Sequence, residues 1–252
     1  MKPAAILVLL FAGMAAAQPP KAAPKTPQAA APFDVTGNWV SVVTEDWRWR
    51  MLTPAKGDYA SVPLNPEGKK VADTWDPSKA ASDGCKAYGA AGVMRVPGRL
   101  RIAWQDESTL KIETDAGLQT RRLHFDKSPK PEEEHSWQGY SAAAWEPIPQ
   151  RGGLGVSLQQ APPKVGALKV ITTNLRAGYL RTNGVPYSEN TAVTEYFDRL
   201  SAYGIDWLTV LTIVEDAKYL DQPFITSTHF KREADGSKWR PAPCEASAGS
   251  TR

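Results

Sequence analysis

From Phe33 onward apolar and polar positions alternate with a period of two, as in strands buried on one face, and not with the 3.6-residue period of an amphipathic helix. Residues 37–44, 47–52, 99–105, 109–114 and 118–125 are predicted as short strands, with Asp106-Glu107-Ser108 and Asp115-Ala116-Gly117 as hairpin connections. Past a polar stretch at 129–135, the same alternation predicts strands at 137–146, 167–175, 192–201, 206–215 and 223–232. About ten strands at this spacing make an all-β chain, a single antiparallel barrel or strongly curved sheet. One short helix stands out: Asn65 can cap it, Pro66 suits its first position, and Val71, Ala72 and Trp75 form its apolar stripe before Asp76-Pro77 ends it. Two loops, 54–93 and 147–166, are long and rich in Gly and Pro, which makes them poor core material; long loops on a β scaffold lie over a site or are mobile.

Strand parity also picks out residues that break the pattern. Val193, Glu195 and Phe197 share one face, so a carboxylate is expected inside between two hydrophobes. Arg121 shares a face with Leu123 and Phe125, which turns a guanidinium inward as well. A buried charge is costly unless paired, so Glu195 should meet Arg121 or another arginine. Such a pair has two readings. One is a structural plug of the barrel interior; the other is a carboxylate of raised pKa that acts as acid or base, or fixes a polar group of a ligand. His229 falls between Ser227 and Lys231, opposite the parity of Phe224 and Phe230. Trp137, Gly139, Ser141, Ala143 and Trp145 alternate along one face, and small side chains between two indoles leave a trough for a flat apolar ligand or for residues of a facing sheet.

The N-terminus adds a compartment. Met1-Lys2, an apolar run to Ala17 and the small residues at its end read as a secretory signal peptide over 1–17, too short for a membrane span. An uncleaved anchor is the alternative. Residues 18–32 alternate Pro, Ala and Lys and are expected to be a disordered lead-in to a barrel domain at 33–252. A periplasmic or secreted location gives Cys85 and Cys244 a use as a disulfide, with two free thiols as the alternative. Thirty basic against 27 acidic side chains leave +3, interspersed, which argues against a nucleic-acid partner even though Trp47-Arg48-Trp49-Arg50 alternates aromatic and basic residues. No G-x-S-x-G elbow, phosphate-binding glycine loop or H-E-x-x-H occurs; His124, His135 and His229 lie far apart, and neither a metal nor a cofactor is called for.

The order Gly37-x-Trp39, Trp137-x-Gly139-x-Ser141 to Trp145-Glu146, residues 168–174, Pro186-Tyr187-Ser188, Thr194-Glu195-x-Phe197-x-Arg199 and Asp216 to Pro223 resembles a large, mostly uncharacterised group of secreted bacterial proteins. Tyr187 stands where many of its members have histidine, and residues 147–166 replace a Gly-Asp pair, which weakens any histidine-based mechanism. The Gly37-x-Trp39 opening is similar to the first strand of lipocalin-type barrels, in which a late arginine covers the tryptophan; Arg199 is the candidate for that arginine. The resemblance implies a lipocalin-like barrel and brings no established catalytic residues.

The expected function is binding of a small apolar or aromatic compound in an interior cavity lined by Trp137, Ser141, Trp145 and Phe197. The first alternative is a cofactor-free isomerase, lyase or hydratase with Glu195 as general base, Arg121 stabilising developing negative charge and Tyr187 or His229 returning the proton. A structural or interaction protein of the cell envelope is the second. The sequence sets neither the ligand nor the oligomeric state.

Overall fold

A computed structural model describes residues 25–79, 84–126, 134–147 and 166–244. Residues 1–17 and most of the loop at 147–166 lie outside the described residues. Nine strands close into a barrel: β1 (Gly37–Val42), β2 (Arg99–Trp104), β3 (Thr109–Thr114), β5 (Thr120–His124), β6 (Tyr140–Pro147), β7 (Gly166–Thr173), β10 (Ala192–Ala202), β11 (Ile205–Glu215) and β12 (Phe224–Glu233). The spatial order is β1-β12-β11-β10-β7-β6-β5-β3-β2, with β2 closing onto β1. Outside it lie two small pairs, β4 (Ala116–Gly117) with β13 (Ala242–Pro243), and β8 (Gly178–Arg181) with β9 (Val185–Tyr187).

The barrel is mixed where a purely antiparallel one was expected: β5 and β6 run parallel. The cause is arithmetic, because neighbours that all reverse direction cannot close a ring with an odd number of members. β6 accordingly starts from the same end as β5, and Leu123 pairs with Ser141. The tenth expected strand is missing from the ring. Residues Trp47–Arg50 form one helical turn, α2, entered through Asp46 in the left-handed region at φ 53°. A further turn, α1 (Pro27–Ala30), lies in the expected disordered lead-in, and the predicted helix is α3 (Pro66–Ala72), whose first turn Asn65 caps by accepting from the Gly68 N–H at 2.8 Å.

Parity works as expected within the long strands. Along β10 Val193, Glu195 and Phe197 are buried and their neighbours are not; along β12 Phe224, Thr226, Thr228 and Phe230 are buried. Two apolar clusters result. The first fills the barrel with Trp39, Ile102, Leu110, Ile112, Leu123, Val170, Phe197, Val210 and Phe230 among others. The second caps one end, and here the long loop at 54–93 departs from expectation: its Val62, Leu64, Ala72, Ala90 and Ala91 join Leu180, Val185, Tyr187, Val193 and Phe224 in a core. Small residues make that possible, since a Cβ on Gly89 would lie 2.1 Å from the Tyr187 hydroxyl and one on Gly184 would lie 2.3 Å from Trp75.

A disulfide joins Cys85 in that cap to Cys244, 159 positions apart in sequence, with the Cα atoms 5.0 Å apart. Trp39 is fully buried and donates its indole N–H to the Val35 carbonyl at 3.0 Å. The arginine over its ring is Arg232, 5.7 Å from the centroid and paired with Trp39 across β1 and β12. Arg199, the expected partner, is taken up by the Asp34 carbonyl and the Asp206 carboxylate instead. Among the described residues, no helix is long and apolar enough to cross a membrane.

Candidate functional site

Glu195 and Arg121 do meet. Both side chains are completely buried, and the guanidinium grips the carboxylate with two bonds, Nη2 to Oε2 at 2.5 Å and Nη1 to Oε1 at 3.1 Å. Nη2 also donates to the Thr172 hydroxyl at 3.3 Å, which lies 2.8 Å from the Ser141 hydroxyl. With Thr212, Thr226 and Thr228 these side chains form a polar belt inside the barrel, between its apolar core and the capping cluster. A bidentate, fully buried guanidinium–carboxylate pair fixes both side chains in place, which suits a plug. Neither residue lines any of the cavities described below.

The other expected acid–base groups stand apart from the pair. Tyr187 is buried in the capping cluster against Gly89 and Gly178; burial pushes its hydroxyl well above the usual tyrosine range. His229 sits on the outer face of β12, more than a third exposed, with Nδ1 3.4 Å from a Glu45 carboxylate oxygen. The constellation of Glu195, Arg121, Tyr187 and His229 around one hollow is therefore not formed.

The trough of two indoles also divides. β6 begins only at Tyr140, because Gly139 turns the chain at φ 58° with its Cα so close to the Thr173 carbonyl that a Cβ would lie 2.2 Å from that oxygen. Trp137, before that turn, lies under the Arg176 guanidinium (5.0 Å) and lines an outer cleft of about 450 Å³ with Arg122, His124 and Tyr140. There the His124 ring stacks on Tyr140 at 5.4 Å, and burial lowers the His124 pKa. Ser141 belongs to the polar belt. Trp145 and Phe197 both contact the barrel core.

Trp145 leads to a feature that strand-by-strand reading missed. At the end of the barrel away from the cap, four partly buried rings follow one another: Phe33 to Trp145 at 5.5 Å, Trp145 to Phe125 at 5.4 Å, and Phe125 to Trp104 at 5.3 Å. Phe125 and Trp104 come from parity positions at strand ends, where the inward face reaches the rim. The N-terminal segment crosses this mouth. Trp145 donates its indole N–H to the Pro27 carbonyl at 2.9 Å, Gln28 N–H donates to the Glu107 carbonyl at 3.3 Å, and Arg199 reaches the Asp34 carbonyl at 3.0 Å. Between segment and rings is a cavity of about 440 Å³ lined by Gln28, Ala31, Phe33, Val35, Trp104 and Trp145.

A second missed group is Asp216. Its buried carboxylate accepts from the Ser188 N–H (2.6 Å) and hydroxyl (2.9 Å), the Thr191 hydroxyl (3.0 Å) and the Lys218 N–H (2.9 Å), tying the loop before β10 to the loop after β11. Its place in the motif was visible, but its partners lie too far along the chain for spacing to show them.

Fold and site together define a closed β-barrel with a polar belt, a covalently tied cap and an aromatic mouth. No protein-family model matches the chain, and no curated protein and no solved structure matches it. Among the described residues no group of three or more His, Cys, Asp or Glu side chains is placed to hold a metal ion.

Proposed function

We propose that this chain is an extracytoplasmic binding protein for a small apolar or aromatic compound, which it takes at the aromatic mouth of the barrel. The observation that carries this reading is the row of four rings beside a cavity of about 440 Å³, bridged by a short segment held through few hydrogen bonds. Barrel mouths are favoured ligand sites because strands hold the rings rigidly while the connecting segments can yield. Offset and edge-on ring contacts add to the transfer of apolar surface when a flat ligand joins such a row. The apolar N-terminal run and the disulfide support a place outside the cytoplasm.

Titration with the apolar fluorophore N-phenyl-1-naphthylamine tests the proposal. Trp145→Ala should weaken its binding about 10-fold or more, the effect of losing one ring contact and its buried area. Trp137→Ala, in the outer cleft, should leave it unchanged. Equal affinity of wild type and Trp145→Ala, or loss of binding only in Trp137→Ala, would refute the mouth as the site.

A further inference from the structure

Beside the cap, three arginines are buried together: Arg50 at 8% exposure, Arg95 at 6% and Arg181 at 4%. Their protein partners use only part of what they offer. Arg50 donates Nε to the Arg95 carbonyl (2.9 Å) and pairs with Glu45; Arg95 pairs with Asp46 at 2.8 Å; Arg181 donates Nη1 to the Ala60 carbonyl at 2.7 Å. Among the described residues Arg181 has no carboxylate within ion-pair distance, and its guanidinium lies over the Trp49 ring at 4.8 Å. Among the described residues four buried guanidinium nitrogens find no partner: Arg50 Nη2, Arg95 Nη1, and Arg181 Nε and Nη2.

Charge points the same way. The groups acting on this cluster are Arg48, Arg50, Arg95 and Arg181 against Glu45, Asp46 and Asp58, and Asp58 is held by Arg48 at 2.5 Å. Among the described residues, four cations facing three anions leave one positive charge uncompensated. His229, 3.4 Å from Glu45, can only add to it. Burial and the neighbouring Arg95 charge lower the Arg181 pKa to about 10. Like charges are crowded in a place with little water, where any counter-charge gains most.

The three arginines border a pocket of about 50 Å³, with Trp49, Gly92 and Leu180 on its other walls. That is room for one small group. Guanidinium forks match paired oxygens on a single centre better than they match a halide, because two parallel N–H groups can reach two oxygens at once. We infer that the pocket between Arg50, Arg95 and Arg181 is a binding site for a small oxyanion of the phosphate or sulfate type, as a free ion or as the end group of a larger molecule. It stands apart from the aromatic mouth and does not depend on it.

The test is calorimetric titration and thermal unfolding of the full mature chain with inorganic phosphate, sulfate, phenyl phosphate and chloride at matched ionic strength. Phosphate and sulfate should bind and, at 100 times the dissociation constant, raise the unfolding midpoint by roughly 5 °C, while chloride does not. Arg181→Lys keeps the charge and removes the fork, so it should bind at least 10-fold more weakly; Arg181→Met should not bind at all. Phenyl phosphate binding as well as phosphate assigns the site to an end group, and binding of phosphate alone assigns it to the free ion. Absence of any oxyanion-specific heat and shift in the wild type, or equal shifts in wild type and Arg181→Lys, overturns the assignment and leaves these donors to water.

Discussion

Glu195 shows how register fixes the face of a single side chain and leaves two readings of its chemistry. Parity along Val193-Glu195-Phe197 is enough to bury it, and the cost of an unpaired buried charge is enough to demand an arginine, which is found at 2.5 Å in Arg121. What parity cannot supply is whether the space around the pair is open. Thr172 accepts from Arg121 and the pair is wholly buried, which suits the plug reading and gives that reading a definite energetic signature. Glu195→Gln leaves a buried guanidinium uncompensated and should cost about 3–5 kcal/mol in urea unfolding. Replacing both partners, Arg121→Met with Glu195→Leu, should recover most of that loss, because a matched apolar pair needs no desolvation of charge. A double variant as unstable as the single one would show that the pair does more than neutralise itself. Arg181 and Asp216 escaped the same reasoning for a physical cause: both lie at short elements or loops, where successive residues Leu180 and Arg181 are buried together and no period exists to be broken.

At the level of elements, strands of five residues or more were legible, β2, β3 and β5 included, and the two- to four-residue strands β4, β8, β9 and β13 were not. β10, β11 and β12 carry ten or eleven residues each, long enough for alternation to fix face and pairing, and they lie where the pattern puts them. Trp47-Arg48-Trp49-Arg50 has the alternation of a strand but turns as a helix, since Trp49 is pinned between the Arg48 and Arg181 guanidiniums and Arg50 must reach the Arg95 carbonyl. Tertiary contacts of that strength override a four-residue period. The parallel β5–β6 pair was invisible for a related reason, because it follows from the count of strands in the closed ring and not from any local signal. The N-terminal segment is the element with the sharpest consequence. Its composition suggests disorder, yet Pro27 and Gln28 are tied to Trp145 and Glu107 across the mouth by single bonds of low worth. Deleting residues 25–31 should leave the unfolding midpoint within about 3 °C while raising acrylamide quenching of tryptophan fluorescence and the association rate of the apolar probe. Unchanged quenching and rate would mean that the segment does not cover the rings.

Across the whole molecule, the two apolar clusters meet at the polar belt, and the cap is attached to the barrel by strand ends, by Asp216 and by the disulfide from Cys85 to Cys244. That bond closes a loop of nearly the whole barrel, so the chain-entropy argument gives it a large effect on the unfolded state, about 5 kcal/mol, with 2–5 kcal/mol the measured range for native bonds. Its location decides where the loss appears. Cys85 lies just before the segment that carries Ala87, Ala90, Ala91 and Arg95, while Cys244 follows β13, whose parallel pairing with Ala116–Gly117 has only two residues on each side. Cutting the bond leaves residues 234–244 to the β13–β4 pair, the Ala242 N–H on the Asp115 carbonyl and Trp239 under Arg101, and removes one anchor of the cap, whereas the nine-stranded ring keeps every hydrogen-bonded neighbour. Cys85→Ser with Cys244→Ser should therefore lower the stability by about 2–5 kcal/mol, and hydrogen exchange should accelerate first in residues 84–95 and 116–119, well before β10–β12. If the barrel strands instead lose protection together with the cap, the two clusters unfold as one cooperative unit and the belt joins them more firmly than the disulfide does.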